Sequence, residues 1–177
     1  MPDCKRVVLS GGPGTGKTSL ISELEKEGHV CFHEYSRIII QDSLAKGSDI
    51  LPWKDLTGFT DKVLNGRINQ YKEAKAGLNF YDRSVVDSLA YMHKDHLEPE
   101  KNWIDYLSKF RYHPHVFISP PWREIFENDN ERRESWPQLL QLHEYLMSTY
   151  QDAGYEIILL PKVSVQERVS FVMNSLK

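Results

Sequence analysis

The sequence predicts an α/β fold in which a parallel sheet of five strands is covered on both faces by helices. Three observations carry that expectation. Short apolar runs alternate with stretches of helical periodicity along the whole chain. A glycine-rich loop separates the first such run from the first helix. The 177 residues show no repeat, low-complexity tract or linker, so one domain over 1–177 is expected, long enough to bury a core unaided.

Taken in order, Val7-Val8-Leu9 reads as a buried strand, and Ser19 to Lys26 carries Leu20, Ile21 and Leu24 at helical spacing. Between them runs Ser10-Gly11-Gly12-Pro13-Gly14-Thr15-Gly16-Lys17-Thr18, which fills the G-x-x-x-x-G-K-T spacing of a phosphate-binding P-loop. Its glycines let several backbone N–H groups converge on one point, and the positive end of the next helix faces the same point. Residues 11–19, from Gly11, Gly12, Pro13, Gly14, Thr15 and Gly16 through Lys17, Thr18 and Ser19, are therefore the expected nucleotide contacts. Lys17 is suited to the outer phosphates of ATP and the Thr18 hydroxyl to a bridging Mg2+.

Gly28 reads as a helix stop and His29 to His33 as the second strand, with Tyr35 to Leu44 helical beyond it. Glu34 and Arg37 then lie one turn apart at the carboxyl end of a strand, where open α/β sheets bind ligands. The block 47–76 is expected to supply acceptor-binding helices. Leu56, Phe59, Val63, Leu64, Ile68 and Tyr71 mark one helical face, which Gly77 is expected to end. Here two readings stand: Trp53, Lys62, Arg67 and Tyr71 line a substrate pocket, or Trp53 and Tyr71 enter the core while Lys62 and Arg67 sit on a solvated face. Ordinary burial preferences favour the second.

Leu78 to Tyr81 reads as the third strand, ending in Asp82-Arg83-Ser84. A carboxylate at the tip of a strand beside the P-loop suits a metal-linked role, which falls to Asp82, while Ser84 suits the N-cap of a helix from Val85 to Asp95. Trp103, Ile104, Leu107 and Phe110 mark another helix, Val116 to Ser119 the fourth strand, and Trp122 to Phe126 a short helix after Pro120-Pro121. The charged run Glu127 to Glu134 is either a solvated loop or, within 124–136, a lid whose Arg132 and Arg133 close over the nucleotide. Leu139, Leu142 and Leu146 mark a long helix closed by Gly154. Tyr155 to Leu160 is the fifth strand, and Ser164 with Glu167 forms a capping box for a last helix.

Composition narrows the function classes. The formal charge of −3 and the absence of a large basic tract argue against a nucleic-acid binder. No apolar run approaches the ~18 residues a membrane span needs, and two cysteines without paired spacing suit a reducing compartment, so a cytoplasmic protein acting on small molecules is expected.

Three segments together carry a resemblance: Gly11 to Thr18, Glu34-Tyr35-Ser36-Arg37, and Asp82-Arg83-Ser84. They resemble the nicotinamide-riboside kinase domain of bacterial NAD-metabolism proteins. The chain is still more similar to the single-domain predicted P-loop ATPases (AAA-type) related to that domain. This second likeness extends over Pro52-Trp53, Asp87 to Tyr91, Pro120-Pro121-Trp122, Asp129 with Arg132, and Pro161 to Arg168. Thymidylate and deoxynucleoside kinases are more distant relatives of the same layout. The resemblance implies a sheet order of 2-3-1-4-5. It also implies Glu34 as the acceptor-hydroxyl base, Asp82 as the magnesium partner, Arg83 as a phosphate or acceptor contact, and Arg132 or Arg133 as the lid arginine.

The expected activity is therefore Mg2+-dependent transfer of the γ-phosphoryl group of ATP to a small nucleoside, riboside or nucleotide, with Lys17, Glu34, Arg83, Arg132 and Arg133 catalytic and Glu34, Arg37, Trp53 and Arg83 facing the acceptor. Two alternatives remain. An ATPase commonly places a glutamate directly after the strand-end aspartate, where this chain has Arg83. A nucleotide-dependent switch would use ATP to order the loops around 127–134 for a partner.

Overall fold

The computed structural model describes residues 4–127 and 134–177, so the expected lid arginines Arg132 and Arg133 lie outside the described residues, as does Asp129. The described chain runs β1 (Cys4–Ser10), α1 (Lys17–Lys26), β2 (Val30–Phe32), α2 (Tyr35–Lys46), α3 (Leu56–Lys72), β3 (Gly77–Asp82) and α4 (Val85–Lys94). It continues through α5 (Lys101–Lys109), β4 (His115–Ile118), a 3-10 turn (Arg123–Ile125), α6 (Trp136–Asp152), β5 (Glu156–Leu159) and α7 (Val165–Ser175). All strand pairings are parallel, and the sheet order is β2-β3-β1-β4-β5, as the resemblance implies.

Alternation along the inner strands divides the core into two layers, because successive strand residues point to opposite faces. Val7, Leu9, Phe80 and Phe117 face one side, where Leu20, Ile21 and Leu24 of α1 and Val169 and Val172 of α7 cover them. Val8, Tyr81, Val116 and Ile118 face the other, packed by Val86 and Leu89 of α4, Trp103 of α5, and Leu142, Leu146 and Tyr150 of α6. Both faces of β1 are buried, so its run reads as continuously apolar rather than alternating. A third cluster, Ile40, Leu51, Phe59 and Val63, joins α2 to α3 away from the sheet.

Two local expectations are corrected. The helix through Tyr71 stops at Lys72, and Gly77 opens β3 at φ 90 instead of ending α3. The Asn79 side chain accepts from the Lys75 N–H at 2.8 Å and donates to the Lys75 carbonyl at 2.7 Å, taking the groups that a longer helix would need. The stretch Trp122 to Phe126 forms one 3-10 turn instead of a short α-helix. Pro120 and Pro121 bring no N–H groups to nucleate an α-turn ahead of it.

Several termini are stated in the sequence. Ser84 caps α4 and Ser164 caps α7, each within a reciprocal capping box completed by Asp87 and Glu167 respectively. At the α2–α3 contact the chain needs a residue without a side chain. A Cβ on Gly66 would stand 1.9 Å from the ring of Tyr35, the first residue of α2. Replacing Gly66 with Ala is expected to lower stability by about 1 to 2 kcal/mol, because overpacking outweighs the ~1 kcal/mol that alanine returns inside a helix. Urea unfolding measures this, and an unchanged or raised midpoint would show that Tyr35 swings aside freely.

Candidate functional site

The carboxyl ends of β1, β2 and β3 open onto one crevice, and the glycine loop that leaves β1 divides it into two cavities. One, of about 410 Å³, is lined by Gly14, Thr15, Gly16, Lys17, Thr18 and Ser19, with Trp122, Ile125 and Glu127 on one side and Val163, Ser164, Val165 and Arg168 on the other. The second, of about 320 Å³, begins at Pro13 and is walled by α2, α3 and α4. Leu56, Phe59 and Val63 supply its apolar surface, Trp53 and Tyr91 its aromatic edges, and Glu34, Arg37, Arg67 and Arg83 its charges.

Within the loop, Gly16 occupies the N-cap of α1 in the left-handed conformation at φ 79, which a side chain resists. Gly12 supplies a carbonyl that accepts from the Lys17 ammonium at 2.7 Å and from the Thr15 hydroxyl at 2.8 Å. Lys17 is buried, whereas Thr18 and Ser19 are exposed on the wall of the larger cavity.

In the smaller cavity, Glu34 ends the turn from β2 and Arg83 follows β3, so neighbouring strands present the pair side by side. Arg83 takes φ 77, a conformation costly for a bulky residue, and its Nε lies 2.8 Å from Glu34 Oε1. Its Nη1 donates to the Tyr91 hydroxyl at 3.1 Å. The Ser36 hydroxyl donates to Glu34 Oε1 at 2.8 Å, and Arg37 Nε lies 3.8 Å from Glu34 Oε2. Burial works against ionising Glu34, but the charges of Arg83 and Lys17 and the Ser36 hydrogen bond overcome it and hold the carboxyl down at about 2.

Asp82 is driven the opposite way. Burial and then the negative charge of Glu34 raise it to about 6, against the pull of Lys17 and Arg83. It is 3 % exposed, and its Oδ1 has no hydrogen-bond partner. A buried carboxylate oxygen left without a donor fits a cation ligand or a water bridge to one. Asp82 lines neither cavity directly, while Thr18 stands at the wall of the larger one.

Of the two readings of residues 47–76, the pocket reading holds for Trp53 and Arg67, and the solvated-face reading for Lys62. Trp53 is 37 % exposed at the rim of the smaller cavity instead of lying in the core. Arg67 is 3 % exposed instead of solvated, and its Nη1 donates to the Ser84 carbonyl at 2.7 Å and to the Ser88 hydroxyl at 2.6 Å. Lys62 is solvated and Tyr71 half-buried, packed on Phe110 and Tyr112. Helical periodicity could not separate Arg67 from Lys62, because only the arrival of α4 covers the former. Of the segment 124–136, Glu127 faces the larger cavity and Glu134 the smaller.

Asp87 enters the sequence reading only within the segment 87–91 of the resemblance and with no role, although S-x-x-D at 84–87 is a helix-start signature. Fully buried, it accepts from the Ser10 hydroxyl at 2.6 Å, the Ser84 N–H at 2.7 Å and the Tyr150 hydroxyl at 2.5 Å. It thereby ties the start of the glycine loop to α4 and α6. Tyr91 and Arg168 have no individual role in the sequence reading: Tyr91 meets Arg83 eight positions away, whereas Arg168 meets the glycine loop from more than 150 positions away.

Among the described residues no helix is long and apolar enough to cross a membrane. A family model described as "AAA domain" matches residues 6–168. A search of curated proteins finds no match. Among solved structures, the chain is similar to deoxyadenosine kinase from M. mycoides with bound dATP, at TM-score 0.71 and 16 % identity over 97 % of this chain and 98 % of that one. It is similar to NadR protein in complex with NR, at 0.68 and 20 % over 98 % of this chain and 50 % of that one. Thymidylate kinase from Candida albicans gives 0.68 and 12 % over 99 % and 92 %. At these identities the likeness establishes a shared fold.

The opposed shifts of Glu34 and Asp82 make stability pH-dependent in a defined sense. Glu34, depressed in the fold, binds fewer protons there than in the unfolded chain, so its contribution is present above pH ~4.5 and is lost as pH falls toward 2. Asp82, raised in the fold, favours the native state as pH falls from about 6 to about 4. Between pH 4.5 and 2.5 the native protein is expected to lose about 1–2 kcal/mol more stability than Glu34→Gln. Urea titrations at several pH values measure this, and parallel curves would remove the ion pair from the account.

Proposed function

The chain belongs to the AAA domain family, and from that premise we propose that it is a Mg2+-dependent kinase transferring the γ-phosphoryl group of ATP to a small nucleoside, riboside or nucleotide. The observation that supports this most is the pair of cavities meeting at one loop, with Pro13 in the wall of one and Gly14 to Ser19 in the wall of the other. A donor and an acceptor need two such chambers. Hydrolysis needs only one, and the residue after Asp82 is an arginine rather than a water-activating glutamate.

In this reading the backbone amides of the loop and Lys17 bind the donor's phosphates. Thr18 and Asp82 would hold Mg2+, which when bound neutralises charge between neighbouring phosphate oxygens. Glu34 acts as an anchor more than as a strong base, since a carboxylate held near 2 takes a proton only weakly. Its Oε1 is engaged by Ser36 and Arg83, and its Oε2 accepts the acceptor hydroxyl and fixes the oxygen for in-line attack. Arg83, locked by Glu34 and Tyr91, faces the same chamber with charge for the transferring group. The apolar wall formed by Leu56, Phe59 and Val63 excludes water from the acceptor.

ATP consumption measured with and without a panel of nucleosides, ribosides and nucleotides tests the assignment. Turnover that rises with one acceptor supports it, and turnover indifferent to all of them shows an ATPase. Glu34→Gln is expected to cut acceptor phosphorylation about 100-fold while ATP affinity stays within about twofold; undiminished turnover would remove Glu34 from the mechanism. Lys17→Ala is expected to weaken Mg·ATP binding by more than about tenfold, and calorimetry showing normal affinity would contradict the loop's role.

A further inference from the structure

Arg168 is a buried cation that no carboxylate answers among the described residues. It projects from the first half of α7 to the back of the glycine loop, crossing more than 150 positions of sequence, and is 2 % exposed. Its Nη2 donates to the Ser119 hydroxyl at 2.7 Å and lies 3.4 Å from the Thr15 carbonyl, while its Nη1 lies 3.3 Å from the Gly16 carbonyl. Its Nε is buried without a partner. The neighbouring Glu167 carboxylate is turned away to Ser164, at 2.5 Å from the hydroxyl, and closes the helix cap. Arg83, by contrast, meets Glu34.

Burying a guanidinium without a counter-ion is costly, so its retention calls for an anion that arrives later. Arg168 lines the same cavity as Gly14 to Ser19. Two of its contacts fall on carbonyl oxygens of the loop, those of Thr15 and Gly16, and the third on the Ser119 hydroxyl just past β4. With those two carbonyls taken by the guanidinium, the N–H groups of the loop are left to an anion. Contact is tight: a Cβ on Gly16 would come within 2.7 Å of Nη1.

We propose that Arg168 is a second fixed counter-charge of the polyphosphate site, acting from behind the loop as a positioning residue whose charge the bound anion completes. The inference rests on the nucleotide-binding reading above and adds a residue to it. It fits the other features of Arg168: desolvation is what lowers its pKa, with no carboxylate pulling it back up.

The test is calorimetry with Mg·ATP and with Mg·tripolyphosphate, which lacks the base and sugar, on the native protein and on Arg168→Lys, Arg168→Gln and Arg168→Met. Circular dichroism establishes which variants are folded, and the lysine and glutamine variants decide the matter if the methionine one is not. A stored charge predicts that Arg168→Gln and Arg168→Met raise the Kd for both ligands more than tenfold, while Arg168→Lys recovers at least a third of the native affinity. A merely structural prop predicts the reverse order, with glutamine, which keeps hydrogen-bonding groups, binding like the native protein. That result would overturn the inference. If the native protein itself gives no heat with either ligand, the nucleotide reading falls and this inference with it; if native and Arg168→Gln bind alike, only the inference falls.

Discussion

The site depends on a buried ion pair between the tips of two adjacent strands, Glu34 after β2 and Arg83 after β3. Arg83 is 3 % exposed on its side chain and Glu34 12 %, so neither charge is well solvated. Removing one partner from such a pair commonly costs about 3–5 kcal/mol, because the other is stranded in a poorly solvated place. The pair is also held in strained backbone, with Arg83 at φ 77. Such conformations persist where surroundings over-determine them, and here Tyr91, Ser36 and the parallel register of β2 on β3 do so.

Around that pair the polar interior is arranged by sign. Lys17, Arg67 and Arg83 converge on a region holding Glu34, Asp82 and Asp87, and the carboxylates do not share the cations equally. Glu34 is held ionised, whereas Asp82 is raised and keeps one oxygen without a donor. Asp87 is satisfied by hydroxyls and a backbone N–H instead of by a cation. Three carboxylates close in space are thereby given three environments: one paired with a cation, one with an oxygen left without a donor, and one satisfied by hydroxyls and a backbone N–H.

The Asp87 cluster also gives the loop a mechanical link to the rest of the fold. Ser10 is the last residue of β1, Ser84 caps α4, and Tyr150 comes from α6. Arg168 supports the loop from the opposite side, through α7. The loop is therefore fixed at its entry by one buried polar cluster and at its exit by another. The two cavities that flank it share that fixed backbone, with Pro13 in one wall and Gly14 to Ser19 in the other.

Much of this was legible from local patterns. The glycine spacing places the loop between strand and helix, S-x-x-D and S-x-x-E mark the starts of α4 and α7, and the apolar runs locate four strands to within one residue at each end, while β1 begins at Cys4, ahead of the run at Val7. These features depend on neighbours in the chain, and the physics that sets them acts over a few residues. What the sequence alone could not determine was which of two readings each side chain would take: Arg67, which burial preferences place in solvent, is buried against Ser84 and Ser88, and Trp53, open to either core or pocket, sits at a cavity rim. Arg168 was given no role at all. Burial of a long cationic side chain is decided by which distant element happens to cover it and offer it oxygens. That is a property of how α3, α4 and α7 pack on the sheet, so only the tertiary structure settles it.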